Sequence, residues 1–298
     1  MPNVPLELTD YIIDFLHEDA RTLASCAVVS RAWIPAARFH LFRSIVLRDD
    51  AFSSSFRRLL TLSPDLGYYV RDLTVARSVT VSEVFLPSKP AGPCINNALP
   101  QVLQQLPHLR SLTLAHVDLK NIANLSSLHH PALSSLSLSY CQFADFADLT
   151  LTAHLLSHLF FAAIGLPVTM SLAGCAALES LRLQFPIHYS TTLPWVTALL
   201  ATIDAEPGAA FPSAARPASA AVRTLAFDIR LLGSVDALDW AGLNHVLATS
   251  PSYRALDALC VGVNLWPGVH KTVAAVERIV RERLALLEQK GVLRFCKS

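Results

Sequence analysis

The sequence predicts an α/β protein: three short helices followed by an irregular solenoid of short strands. Three observations carry this expectation. Apolar residues keep helical spacing over roughly the first 45 positions. A unit of the form apolar-x-x-Leu-x-apolar then recurs along the chain. Near the C-terminal end a helical apolar stripe offers a cap for the open end of such an array.

The first helix is expected to begin at Pro5, which has no N–H to leave unsatisfied and a fixed φ suited to a first turn. Glu7 lies in the same turn, where the helix dipole favours a negative charge. Leu8, Ile12, Phe15 and Leu16 follow at helical spacing. Asp19 is the expected N-cap of a second helix carrying Leu23, Cys26 and Ala27. Ser30 is the candidate cap of a third, with Trp33, Ile34, Ala37 and Leu41 as its apolar stripe. Pro35 conflicts with that start, because an interior proline removes a hydrogen bond and crowds the previous turn. The third helix therefore begins after Ser30 or is kinked. A unit this small buries little core, so apolar surface should remain exposed for a partner.

The repeated unit occurs as Val70, Leu73, Val75; Leu109, Leu112, Leu114; Leu133, Leu136, Leu138; Leu156, Leu159, Phe161; Leu178, Leu181, Leu183; Val222, Leu225, Phe227; and Leu256, Leu259, Val261. Starts at 109, 133, 156 and 178 are 24, 23 and 22 residues apart, the period of leucine-rich repeats. The pattern L-x-x-L-x-L-x-x-N/C-x-L runs from Leu133 through Cys141 to Phe143, and from Leu256 through Asn264 to Trp266. The x-Leu-x-apolar centre reads as a short strand with alternate residues inward, and the asparagine or cysteine as a partner for backbone groups at a turn. No unit can bury its apolar face alone, so about seven stacked units are expected to share one core. Outward positions on those strands, Ser111, Thr113, Ser135, Ser137, Arg182, Thr224 and Cys260, are the candidate residues for binding a client.

Insertions are expected near 85–99, around the proline-rich run Leu86 to Pro93, and near 204–221, an Ala/Pro/Ser tract after Glu206-Pro207-Gly208. Val273, Val276, Ile279, Val280, Leu284 and Leu287 form the terminal stripe. Gly291 ends that helix, and Val292 to Phe295 adds a last strand. The expected division is 1–46 for the helical segment and 47–298 for the repeats.

The N-terminal run Val4-Pro5-Leu6-Glu7-Leu8, then Ile12 and Leu16, then Val28-Val29-Ser30-Arg31-Ala32-Trp33 resembles the F-box family. Ala36 to Ile45 is similar to the way many fungal members leave the box for a first strand. Val4, where leucine is usual, and Pro35 depart from the pattern. The resemblance implies binding, not catalysis. A Skp-family adaptor would dock on the box and join it to a cullin, while the repeats select a protein for ubiquitination. By that analogy Val4, Pro5, Leu6, Glu7, Ile12, Leu16, Val28, Val29 and Trp33 build the box or line its adaptor face. Several of them, Val28 and Trp33 in particular, are equally suited to the box interior. A scaffold protein that binds the adaptor without directing ubiquitination is the alternative.

Composition limits the other functions. Apolar residues make up 52% and charged residues 16%, with a formal net charge of +1, so nothing points to nucleic acid. Basic residues gather at Lys271, Arg278, Arg281, Arg283, Lys290, Arg294 and Lys297 and read as a solvated helix face. Six widely spaced cysteines without a C-x-x-C pair, and no secretory signal at the start, suggest reduced thiols in the cytoplasm or nucleus. The cysteines read as small buried hydrophobes, with Cys94 the one expected at the surface. Residues 149–178 lack Asp, Glu, Lys and Arg, yet His154, His158 and Gly165-Leu166-Pro167 interrupt them, so buried core is expected rather than a membrane span. No nucleophile elbow, phosphate loop or dinucleotide fingerprint is present, and no enzyme, cofactor or metal is expected. His154 with His158, His129 with His130, and Asp145 with Asp148 lack the further ligands or partners such chemistry needs.

Overall fold

A computed structural model describes residues 5–76, 93–117, 132–141, 156–162, 172, 175, 177–187, 192–204, 221–231, 235, 239–266 and 271–296. The chain forms two compact units, Met1–Val117 and Asp118–Ser298. Every strand pairing within each unit is parallel and joins neighbours in sequence, the arrangement of an α/β repeat solenoid.

The first unit opens with α1 (Leu6–Asp14), α2 (Ala20–Val29) and α3 (Ile34–Arg43). Pro5 is the N-cap rather than the first helical residue, and its carbonyl accepts from the N–H groups of Leu8 and Thr9. Asp19 caps α2 as expected, with Oδ1 accepting from the backbone N–H of Arg21 and Thr22. Ser30 caps a 3-10 turn, Arg31–Trp33, and α3 starts only after it. Pro35 then sits in the first turn of α3, where its missing N–H costs no intrahelical bond. The proline conflict is thereby resolved by a later start, not a kink. His40 closes the bundle by pairing through Nε2 with Oδ1 of Asp14 at 2.7 Å.

Strands β1 (Ser44–Leu47), β2 (Asp72–Ala76) and β3 (Ser111–Ala115) pair in order, with Ile45, Leu73 and Leu112 in one row and Leu47, Val75 and Leu114 in the next. Between them lie α4 (Asp50–Leu62), capped by Asp49, and α5 (Pro93–Gln104), which packs against it. Helix α5 begins inside the interval 85–99 expected as an insertion; Leu99, Val102 and Leu103 give it a buried stripe.

The second unit carries β4 (Ser135–Ser139), β5 (His158–Ala162), β6 (Ser180–Ile187), β7 (Thr224–Leu231), β8 (Ala258–Leu265) and β9 (Leu293–Phe295). Three helical crossovers, α6 (Thr192–Ala201), α7 (Trp240–Thr249) and α8 (Val273–Arg283), alternate with the later strands, and a short α9 (Ala285–Gln289) follows α8. The expected terminal helix is thus broken at Leu284. Gly291 takes φ 70 after α9, and β9 joins β8 as expected. All three apolar positions of all seven repeated units are buried.

In the second unit a carbonyl just ahead of the strand links successive repeats from β4 to β8. Ser134 O accepts from the N–H groups of Ser157 and His158, and Ser157 O from Glu179 and Ser180. Glu179 O and Arg223 O continue the series to Thr224 and Ala258. The pairings β4–β5, β5–β6, β6–β7 and β7–β8 are thus each entered through one shared acceptor, consistent with their common register.

The two N/C positions have different settings. Cys141 donates its thiol to Ser139 O at 3.7 Å. Asn264 lies inside β8 and is exposed, because β6, β7 and β8 are each eight residues long and run past the turn of a short repeat. Phe143, the proline-rich run 86–92, most of the 204–221 tract, and His129, His130, Asp145, Asp148 and His154 lie outside the described residues. Within 149–178, the described part contains β5 and the buried Leu156, Leu172, Cys175 and Leu178. Among the described residues, no helix is long and apolar enough to cross a membrane.

Candidate functional site

Two surfaces stand out, one in each unit. On α1, Leu8, Tyr11, Ile12 and Phe15 stand at i, i+3, i+4 and i+7, forming one stripe. A stripe with that spacing would ordinarily face a core. Here it faces solvent, with exposures of 54%, 61%, 50% and 70%. The buried side of α1 is instead Thr9 and Ile13, and the Thr9 hydroxyl donates to Pro5 O at 3.3 Å. Tyr11 and Phe15 meet edge to face at 4.8 Å, so the exposed rings brace one another.

Helix α2 adds Val28 and Val29, 85% and 67% exposed, while Leu23 and Cys26 fill the interior. The turn that follows them packs against α1. Of the residues expected to build or face the adaptor, Pro5, Glu7, Ile12, Val28 and Val29 are exposed, and Leu16 and Trp33 are half-buried. Val28 therefore lies at the surface of the three helices and not in their interior. Val4 and the Leu6 side chain lie outside the described set. Leu8, Tyr11 and Phe15 were absent from the expected contact set, although the first and last share its stripe.

The second surface is the outward face of β4–β9. One row runs Ser135, His158, Ser180, Thr224, Ala258. The next runs Ser137, Phe160, Arg182, Ala226, Cys260, Arg294. Register thus brings Ser135 into line with Thr224, and Ser137 with Arg182 and Cys260. Ser111 and Thr113 hold the equivalent positions in the first unit, beside Asp72 and Thr74.

Arg182 anchors this face. Its Nε donates to Oδ2 of Asp228 at 2.7 Å, and its guanidinium carbon lies 5.7 Å from the Phe160 ring centroid. The bond from Asp228 raises the arginine pKa above its ordinary value, against a smaller opposing effect of desolvation. Beside it, the Cys296 thiol lies 2.8 Å from the Cys260 sulfur. Burial first, then the neighbouring Cys296, pushes the Cys260 thiol up to about 11, although Arg294 and Arg182 act in the other direction. The cysteines are therefore not uniformly buried: Cys26 and Cys175 are, Cys141 and Cys260 are partly so, and Cys296 is exposed. The Cys94 side chain lies outside the described set. Phe160, Asp228, Arg294 and Cys296 join the surface without having been expected there, because only strand register brings them next to Arg182 and Cys260.

Among the described residues, no group of three or more His, Cys, Asp or Glu side chains could hold a metal ion. What the two surfaces offer is contact chemistry: exposed apolar rings and valines on one, and hydroxyls, an arginine braced on an aromatic, and a thiol pair on the other. No protein-family model matches the chain. No curated protein matches it in sequence.

Proposed function

We propose that this chain is a substrate-recognition subunit of a Skp–cullin–F-box ubiquitin ligase, acting in the cytoplasm or nucleus. The reading joins the F-box-like order of residues from Val4 to Trp33 with one observation, the solvent-exposed stripe Leu8, Tyr11, Ile12 and Phe15. A helix whose apolar residues are left outside suits a groove on a partner, where aromatic and aliphatic anchors are desolvated together. Val28 and Val29 extend the apolar area available to such a partner. The outward strand face, with Ser135, Ser137, Arg182, Thr224 and Cys260, is the proposed client surface, and Ser111 and Thr113 are its counterparts in the first unit.

The test is a pull-down with purified Skp-family adaptor. Wild type is compared with Pro5→Ala/Leu6→Asp and with Ile12→Asp, after circular dichroism has established that each variant keeps its fold. Wild-type binding lost in both variants supports the docking face. A folded wild type that does not bind the adaptor removes the ligase reading and leaves a repeat protein that binds partners by other means. Cullin recruitment together with turnover of a bound client separates the ligase from a scaffold.

A further inference from the structure

The second unit carries a modification site on the proposed client face, an addition to the recognition role proposed for that surface. We propose that Cys260 and Cys296 form a reactive dithiol that a hydroperoxide converts to an intramolecular disulfide, linking β8 to the segment just after β9.

Four observations meet at this point. The two sulfurs lie 2.8 Å apart, within reach of the roughly 2.05 Å bond after a small side-chain movement. Strand pairing holds them there: Cys260 is opposite Arg294 in the β8–β9 register, and the Cys296 N–H donates to Val261 O at 3.1 Å. Their accessibilities differ, with Cys296 exposed and Cys260 half-buried. Arg294 and Arg182 lie close enough to Cys260 to favour its thiolate, an effect that burial and Cys296 outweigh. An exposed sulfur held beside a shielded one is the layout of an attacked thiol with its resolving partner.

The chemistry balances in two steps. Cys296 sulfur attacks the peroxide O–O bond, giving the Cys296 sulfenic acid and releasing an alcohol, or water when the oxidant is hydrogen peroxide. Cys260 sulfur then attacks the sulfenic sulfur. The S–S bond forms as the S–O bond breaks, and the departing hydroxyl leaves as water with the Cys260 proton. Peroxide is reduced and two thiols are oxidised. A reductant thiol reverses the link by exchange. In a reducing compartment such a bond is transient, which suits a signal better than a staple.

The experiment uses the full chain, hydrogen peroxide as the probe, alkylation of remaining thiols, and peptide mapping by mass spectrometry without reduction. The expected result is a Cys260–Cys296 peptide as the dominant disulfide, lighter by two hydrogens and lost on treatment with dithiothreitol. Cys296→Ser should leave Cys260 as an unlinked thiol. Cys260→Ser should make Cys296 accumulate as a sulfenic acid that dimedone traps. Because Cys296 is exposed, Cys296→Ser alone decides the matter if the other variant fails to fold. Dominance of another pairing, of a cross-link between two chains, or of Cys296 sulfinic acid beside an alkylatable Cys260 would overturn the proposal.

Discussion

Arg182 on β6 reaches diagonally to Asp228 on β7, its Nε 2.7 Å from Oδ2, rather than to Ala226, the residue directly opposite it. The carboxylate side chain is 12% exposed and the arginine 55%, so the pair is a lid of one charge over a nearly buried other. Arg182 therefore has two tasks on the proposed client face: it neutralises Asp228 and presents its outer edge to solvent.

Removing only the arginine should cost more than removing both partners. Arg182→Ala leaves Asp228 desolvated without its cation, and because the arginine is half exposed the loss should be on the order of 1–2 kcal/mol. Arg182→Ala/Asp228→Ala should lose less than the sum of the single variants. Urea denaturation of the four chains measures the coupling.

The stripe on α1 should separate binding from stability. Phe15→Asp, at a position 70% exposed, is expected to change stability by no more than about 0.5 kcal/mol while abolishing capture by the adaptor. Ile13→Ala, two residues away on the buried side of the helix, should cost about 2–4 kcal/mol. Parallel denaturation and pull-down measurements check both.

The cap of α2 should be lost in acid. Hydrogen bonds from Thr22, first its side chain and then its backbone, lower the Asp19 pKa below its ordinary 3.8. A carboxylate with a depressed folded pKa contributes stability that is present above the unfolded value and disappears as pH falls through the folded one. Asp19→Ala should therefore lower the Tm near neutral pH, and the difference from wild type should shrink as pH falls below 3.8. Thermal melts at stepped pH give the answer.

Gly67 should tolerate no side chain. A Cβ built there would lie 2.0 Å from the carbonyl oxygen of Gln105, a backbone atom that cannot rotate aside. Gly67→Ala is expected to push the turn Pro64–Tyr68 away from the end of α5, at a cost of about 1–3 kcal/mol. A lowered denaturation midpoint in the purified variant checks this.

Much of the architecture was legible because it rests on local spacing. Leu109, Leu112 and Leu114 announce a strand by alternation, and the near-constant step to Leu133 and Leu156 announces stacking. Asp19 was legible as a cap because a carboxylate just ahead of a helix has one obvious use. The candidate surfaces were less so. Leu8, Ile12 and Phe15 read the same whether their stripe meets a core or solvent, since periodicity gives a face but not its direction. Asp228 gave no signal beside Arg182, because 46 residues separate them and only strand register closes that gap.

The sequence by itself determined the three-helix start, the repeated strands with their inward leucines, the late start that Pro35 imposes on the third helix and the stop at Gly291, all consequences of backbone geometry over a few neighbouring residues. Only the tertiary structure decided which side of α1 is buried, how far β6, β7 and β8 extend, and that Arg182, Asp228, Cys260 and Cys296 share one face. The physical reason is register: a parallel pairing fixes which outward side chains become neighbours, and its hydrogen bonds join segments that the chain order keeps far apart.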